Sequence, residues 1–204
     1  MNIDFGARTR EAKEINEKSW SIVGSIVKGD TPQDRIIKRC VIATGDTGFC
    51  ELMRFNNGPV NAGIEAIKSG APIFTDIRMA QVGITKRGHN CEIRCVLDEG
   101  IDIAEKTGFT RTSAGFMALE DKLNGAIIVI GNAPSSALTV CRMIEKGLHP
   151  ALLVATPVGF VNAAESKELV RTLNVPSITC VGTRGGTPVA VAVVNELVEI
   201  ALRK

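Results

Sequence analysis

The hydrophobic pattern of the first seventy residues is helical. Apolar side chains at Ile15, Ile22, Val23 and Ile26 recur at helical spacing, and Gly29 is suited to end this helix. Two further stretches share the spacing: Thr31–Val41 and Val60–Gly70. The first of them opens with threonine and proline, a pair that is typical of an N-cap followed by a first helical turn. We therefore predict an N-terminal region built from helices.

Beyond residue 70, short apolar runs alternate with helical segments. The runs predicted as strands are Pro72–Asp76, Cys91–Leu97, Ala126–Ile130, Ala151–Ala155 and Ser177–Val181. The helical segments are Ile101–Lys106, Arg111–Leu123, Pro134–Lys146, Ala163–Leu173 and Pro188–Leu202. The last three strands show almost no polar alternation, as expected for strands that are buried on both faces.

Alternation of strands and helices predicts an α/β fold. We expect a three-layer α/β/α arrangement with a mostly parallel sheet of about five strands, and an N-terminal helical elaboration. A chain of 204 residues without an internal repeat or a linker fits a single domain over residues 1–204. The order of the strands does not follow from the sequence.

Composition excludes some classes of function. The net charge is only +2, and the chain has seven Phe, one Trp and no Tyr. Few basic or aromatic side chains are therefore available to bind phosphates or to stack on bases, and we expect no nucleic-acid partner. The N-terminus is polar and charged from Asp4 to Lys18, unlike a signal peptide. The uncharged stretch 123–141 is interrupted by Gly131–Ser136, so no membrane span is expected.

The six cysteines point to a reducing compartment. Most of them lie inside apolar runs, where cysteine acts as a small buried side chain. Cys91 and Cys95 are four apart, which is neither a redox spacing nor a usual zinc spacing. We expect a cytoplasmic protein without a metal site.

Four of the predicted strands end in unusual loops, and ligands of open α/β sheets bind at the carboxyl ends of the strands. The loops are Thr75–Arg78, Gly131–Pro134, Thr156–Gly159 and Gly182–Pro188. Glycines allow a backbone to approach a ligand, and helix N-termini suit anions. Each loop taken alone is better explained as a tight turn, whereas four such loops at the carboxyl edge of one sheet favour a binding site.

A nucleotide-binding oxidoreductase is the weaker alternative for this edge. Gly182–Thr187 lacks the spacing of a dinucleotide fingerprint, and Gly131–Ser136 lacks the lysine of a P-loop. Only the analogy of fold supports this reading.

Two uncommon segments identify a family. Ala43–Asp46 with Thr75–Met79, and Pro157–Lys167, resemble the precorrin-8X methylmutases of corrin-ring biosynthesis. Further matching stretches run in order through nearly the whole chain: Ser19, Arg39–Asp46, Gly70–Ile73, Thr110–Arg111, Ile130–Pro134 and Gly185–Gly186. The resemblance implies an isomerase that needs no cofactor and works as a homodimer with the ring near the subunit interface.

The implied reaction is an intramolecular methyl shift from ring carbon eleven to ring carbon twelve of precorrin-8 or cobalt-precorrin-8, giving hydrogenobyrinate or cobyrinate. Acetate and propionate arms on the ring call for cations, hydroxyls and helix N-termini around an apolar floor. By resemblance, the residues expected to bind the substrate are Ser19, Arg39, Thr44, Asp76, Arg111, Asn132 and Thr187.

The chain departs from the family at Ile42, where the pattern has a histidine that is thought to move a proton. Imidazole titrates near neutrality and suits that role, whereas isoleucine carries no proton to transfer. The catalytic residue therefore stays open, with Asp46, one turn beyond Ile42, as the first candidate substitute and Thr44, Cys40 and His89 behind it. We predict a methylmutase with altered or weakened catalysis; the alternative is a non-catalytic corrinoid-binding protein with the same pocket.

Overall fold

The computed structural model describes Ala7 and residues 9–203. Asp4, where the polar N-terminal stretch begins, lies outside the described residues. Within the described ranges the elements are α1 (Arg10–Ile26), α2 (Pro32–Thr44), α3 (Phe49–Leu52), β1 (Met53–Asn56), α4 (Pro59–Lys68), β2 (Ile73–Thr75), α5 (Arg78–Gly83), β3 (Ile93–Cys95), α6 (Ile101–Thr107), α7 (Arg111–Ala118), β4 (Ile127–Ile130), α8 (Pro134–Glu145), β5 (Leu152–Ala155), α9 (Ala163–Thr172), β6 (Ser177–Cys180) and α10 (Thr187–Ala201).

One mixed sheet joins the strands in the order β1-β6-β5-β4-β2-β3. Every pairing is parallel except that of β1 with β6, in which Met53 lies opposite Cys180. All five predicted strands are present, and β1 is a sixth that the sequence did not reveal. It is four residues long, and Arg54 and Asn56 alternate with its apolar side chains, as in an edge strand with one solvated face.

The two faces of the sheet carry separate apolar clusters, which confirms the three-layer prediction. On one face, side chains such as Ile127 and Leu152 pack against α2, α4 and α10. On the other face, side chains such as Ile128 and Leu153 pack with residues of α7 and α8. Strands β4, β5 and β6 are buried on both faces, and β4 and β5 are apolar throughout, as predicted. In β6 the buried Ser177 and Thr179 alternate with Ile178 and Cys180, so the prediction was wrong for this strand.

Two predicted elements are clearly shorter than expected, and two short helices were not expected. The helix predicted to reach Leu123 ends at Ala118, because Leu119 leaves the helical conformation, and a 3₁₀ turn follows at Glu120–Lys122. The strand predicted over Cys91–Leu97 is confined to β3, since another 3₁₀ turn begins at Val96. The short helices α3 and α5 were not predicted, because four to six residues hold too little periodicity to show.

Helix α2 brings its C-terminal end to the carboxyl edge of the sheet. It packs antiparallel to α10, with Cys40 Sγ 3.9 Å from the carbonyl oxygen of Val189 and Arg35 paired with Glu196. Since α10 starts after β6 and runs back along the sheet, the end of α2 lies beside the loop between them. No helix of the described chain has both the length and the apolar character that a bilayer span needs.

Candidate functional site

The sheet reverses its strand order between β2 and β4, where a doubly wound sheet usually opens a crevice. Here Asp76, directly after β2, fills that place. Its carboxylate accepts hydrogen bonds from the backbone N–H groups of Gly131, Asn132 and Ala133 at 3.2, 2.7 and 2.9 Å. Burial raises the pKa of this carboxyl, while the backbone donors oppose that change.

A direct substrate contact was predicted for Asp76, and the structure gives it another task. Its side chain is fully buried, so neither oxygen is open to a ligand. The carboxylate instead fixes the loop that carries Asn132 into α8. Asn132 itself is exposed at the same edge, so its predicted contact stays a prediction.

The loop after β6 is anchored from beneath by a buried ammonium group. Lys167 of α9 has no exposed surface, and its Nζ donates to the Arg184 carbonyl oxygen at 2.6 Å. The Cys180 thiol reaches the same oxygen at 3.2 Å, and Lys167 Nζ lies 3.6 Å from this sulfur. Burial lowers the pKa of Lys167 and raises that of Cys180.

Two glycines join this loop to the one after β5. The Gly186 N–H donates to the Thr156 carbonyl oxygen at 2.6 Å, and the Gly159 N–H donates to the Thr183 carbonyl oxygen at 3.0 Å. Gly185 has a φ of 151°, and any Cβ there would collide with the same Thr156 oxygen. Only glycine permits this close approach of the two loops.

The same loop reaches the end of α2 through a side chain. Arg184 Nη1 lies 3.3 Å from Asp46 Oδ2, and the other Asp46 oxygen accepts the Gly48 N–H at 2.8 Å. Thr44 Oγ1 accepts the Asp46 N–H at 3.2 Å and donates to the Cys40 carbonyl oxygen at 2.8 Å. Arg184 remains 59% exposed and Asp46 37% exposed, so this pair faces solvent.

A cavity of about 300 Å³ lies between α1 and the end of α2. Its lining brings together Ser19, Ile22, Ile26, Ile42, Gly45 and Thr47. The structure thus places Ser19 and Ile42, the position at which the sequence predicts the family's histidine, on one cavity beside Asp46. The Ser19 hydroxyl donates to the Ile15 carbonyl oxygen at 2.8 Å, within its own helix, and keeps its acceptor lone pairs.

Arg39 points to a buried acid rather than to an open edge. Its Nη1 lies 2.9 Å from Glu196 Oε2 of α10, and Arg35 binds the other oxygen of the same carboxylate. The Arg39 side chain is 12% exposed. A ligand carboxylate would have to share Arg39 with Glu196, so the predicted clamp stays a prediction.

The other predicted contacts lie apart from the cavity. Arg111 begins α7, where its Nη2 donates to the Leu97 carbonyl oxygen at 3.1 Å in an exposed position. Thr187 begins α10 and is buried; a Cβ on Gly131 would lie only 2.7 Å from its Cα. Thr187 therefore packs the start of α10 against the loop after β4. No contact of either residue with a ligand is tested by this geometry.

Exposed apolar side chains surround these polar groups. The loop after β5 projects Val158, Phe160 and Val161, and Phe160 is 93% exposed. Helix α1 exposes Ile15, and Ile22 and Ile26 are exposed where they line the cavity. A large ligand with an apolar face and acidic arms could be held by such a surface, with Arg184 and helix ends as donors.

The candidate proton donors differ in access. Asp46 is partly exposed beside the cavity, and Thr44 adjoins it. Cys40 is fully buried, which raises the pKa of its thiol far above the ordinary value. His89 lies in the loop after α5, where Nε2 contacts the Thr85 carbonyl oxygen at 2.7 Å and Nδ1 accepts the Cys91 N–H at 3.1 Å. Asp46 therefore keeps its place as the first substitute.

Sequence reasoning missed three charged residues of this region. Arg184 and Lys167 both lie in segments singled out by pattern, but neither was selected. Glu196 is one of two acids in the otherwise largely apolar α10, and a buried acid requires a cationic partner. Across the described ranges, no group of three His, Cys, Asp or Glu side chains is placed to hold a metal ion.

Comparison with known proteins extends over almost the whole chain. A family model described as precorrin-8X methylmutase matches residues 14–200. A cobalt-precorrin-8 methylmutase of Methanocaldococcus jannaschii is 39% identical over 97% of this chain and 98% of its own length. A relative of that name from Methanothermobacter thermautotrophicus is 34% identical, with 98% of each chain covered. A precorrin-8X methylmutase structure from Thermus thermophilus has a TM-score of 0.86 at 33% identity, covering 93% of this chain and 96% of that one.

Proposed function

Because the chain belongs to the precorrin-8X methylmutase family, we propose that it catalyses the intramolecular methyl shift that converts precorrin-8, or its cobalt-containing form, into hydrogenobyrinate or cobyrinate. The family membership confirms the resemblance inferred from the sequence. The structural observation that carries the proposal is the cavity between α1 and α2, with Ser19, Ile42 and Gly45 in its lining and the Asp46–Arg184 pair beside it.

The geometry supports a division of labour at this edge. A methyl shift within one molecule needs no second substrate, so the protein has to hold the ring in a reactive conformation and allow a proton to move. The cavity lining and the projecting Val158–Val161 segment offer apolar surface for the ring. Arg184 and Arg111 offer donors to its carboxylates, and Arg39 contributes if it shares its donors with Glu196.

Proton transfer is the step at which this chain differs from its family. Ile42 presents only methyl and methylene groups to the cavity, so the shift proceeds with another proton donor or with positioning alone. Asp46 is the group we assign to the first case, because its carboxylate is exposed beside the cavity. A positioned acid or base is typically worth about 10²–10⁴ in rate, and turnover without one remains chemically accessible at a lower rate.

We also propose that the protein acts as a homodimer in the cytoplasm. Support for pairing comes from the exposed apolar side chains of α1 and of the loop after β5, since exposed apolar surface is typical of interaction sites. Six free thiols fit a reducing compartment. Sedimentation should show a dimer, and a monomer at every concentration would contradict pairing. We expect the dimer interface to bury about 800 Å² or more per partner.

An anaerobic assay with metal-free and with cobalt-containing precorrin-8 tests the function. Conversion of either substrate into the corresponding corrin, followed by visible absorbance, is the expected result. Titration of the protein with hydrogenobyrinic acid at tens of micromolar provides the binding control, a range in which contacts of this kind should register. Binding without turnover would indicate the non-catalytic alternative, and an absence of binding would contradict a corrinoid function altogether.

A further inference from the structure

Lys167 is a buried charge that the proposed reaction does not use. Its side chain has no exposed surface, and an ammonium group is costly to remove from water unless it is well paired. Its partners here are one carbonyl oxygen, that of Arg184, and the thiol of Cys180. Neither partner carries a full negative charge when the thiol is protonated, so the arrangement contributes little to stability. What the ammonium does fix is the path of the loop after β6.

Arg184 is held at both ends by this arrangement. Its backbone carbonyl is bound by Lys167 at 2.6 Å, and its guanidinium lies 3.3 Å from Asp46 at the end of α2. The guanidinium passes so close above Gly48 that any Cβ there would collide with Nη1. With 59% of the side chain exposed, Arg184 is an oriented donor facing solvent at the carboxyl edge. An exposed ion pair of this kind adds little to folding.

We propose that Lys167 is a positioning residue that fixes Arg184, and that Arg184 thereby binds a carboxylate of the ligand. A guanidinium suits a carboxylate because its N–H donors match both oxygens, and donors that are ordered in advance lose less entropy on binding. The Asp46 carboxylate orients Nη1 of the Arg184 guanidinium. The inference rests on the proposed function, since the ligand is the ring with its acidic arms.

A double-mutant cycle tests the link between the two residues. The variants are Lys167→Met, Arg184→Met and the combination, with hydrogenobyrinic acid as the probe and visible absorbance as the signal. Each single change should weaken ring affinity by about tenfold to a hundredfold, the usual effect of losing a charged hydrogen bond. If Lys167 acts through Arg184, the combined variant should bind no more weakly than the weaker single variant.

Arg171→Met is the matched control. Arg171 lies one turn beyond Lys167 on α9, is 12% exposed, and is bound to Glu168, to Thr179 and to the carbonyl oxygen of Cys180 rather than to the loop after β6. Arg171→Met should change ring affinity by less than about twofold, because Arg171 does not contact Arg184 and substitutions outside a binding site have small effects. An equal loss in Arg171→Met would mean that any cation on this helix face matters, and the proposal would fail.

Turnover separates positioning from a merely structural role. If Arg184 holds an arm of the ring in both ground state and transition state, Lys167→Met should raise KM while kcat changes little. A fraction of misfolded enzyme would lower kcat at unchanged KM, and that result would overturn the proposal. Lys167→Gln keeps an N–H donor and should restore part of the affinity, which covers the case that the methionine variant does not fold.

The chemistry of the contact is tested with a ring whose carboxylates have been converted into amides. Wild type and Arg184→Met should then differ by less than about threefold, because the charge on the ligand is gone. An undiminished difference would show that Arg184 contacts something other than a carboxylate. If the wild type itself binds neither ring, the proposed function fails first, and that outcome differs from one in which the wild type binds and the variants bind equally well.

Discussion

Two aspartates at the same edge of the sheet behave in opposite ways. Asp76 lies at the reversal of strand order, is fully buried, and is surrounded by three backbone N–H donors. Asp46 lies at the end of α2, is partly exposed, and shares its carboxylate between the Gly48 N–H and the exposed guanidinium of Arg184. The place where an open α/β sheet usually binds its ligand is thus closed by the protein itself, and the open surface is displaced toward α2.

The difference teaches that a strand-end acid is not a ligand contact merely because of its position. At the reversal of strand order, the backbone N–H groups that precede α8 already donate to the Asp76 carboxylate. They therefore need no anionic ligand. At the end of α2 the polar groups are only partly engaged, and an apolar cavity adjoins them. We therefore infer that Asp76 stabilises the fold and that Asp46 faces the open surface beside the cavity, and this inference can be tested.

The largest effect is expected on folding. Asp76→Ala removes the acceptor of one buried and two partly buried backbone N–H groups and should lower the free energy of unfolding by about 3 kcal/mol. Asp46→Ala removes an exposed pair and should cost about 1 kcal/mol or less. Urea unfolding followed by circular dichroism measures both. Similar losses in the two variants would remove the distinction between a structural and a ligand-facing aspartate.

The next effect concerns the chemistry beside Asp46. Ile42→His puts an imidazole on the cavity at the position predicted to hold the family's histidine. It exchanges side chains of similar volume, so it should fold. Turnover should rise by about 10²-fold if proton transfer limits the rate. Ring affinity must be measured in parallel as the control. No gain over an already fast wild type would show that another group supplies the proton, and Asp46→Asn would then abolish most of the activity.

The smallest effect compares two arginines. Arg39→Ala and Arg111→Ala should each weaken ring binding by about 1.5–3 kcal/mol if both bind carboxylates. Arg39→Ala should also destabilise the fold, because Glu196 loses one of its two cationic partners, whereas Arg111 is exposed and its loss should leave unfolding unchanged. Calorimetric titration and urea unfolding give the two quantities. Unchanged affinity in both variants would mean that neither arginine contacts the ring.

Much of the fold was predictable because β4 and β5 are apolar on both faces, and their length separates them from the helices. Strand order was not, since it depends on which helices cover which face. The edge strand β1 was hidden by its mixed composition. A buried pair such as Arg39 with Glu196 joins residues 157 positions apart, and no local pattern indicates such a partner.

The site was predictable as a place more than as a set of contacts. Strand-end loops and family motifs located the edge, and Ser19 and Ile42 do share a cavity there. The engagement of Asp76 by the backbone could not be foreseen, because an aspartate after a strand looks the same whether it meets a ligand or a neighbouring loop. Lys167 escaped notice for a similar reason: burial of a lysine becomes visible only when its surroundings are known.

The pairing of β1 with β6 has a consequence for biosynthesis. Met53 lies opposite Cys180, and α2 packs on α10, so main partners of α2 and β1 lie in the last third of the chain. During synthesis on the ribosome, the apolar sides of α2 and β1 therefore stay uncovered until nearly the whole polypeptide has emerged. Contacts this distant in sequence slow folding and leave hydrophobic surface open to chaperones and to aggregation in the meantime. Shortening the protein at its C-terminal helix should for that reason harm the N-terminal helices as much as the end that is removed.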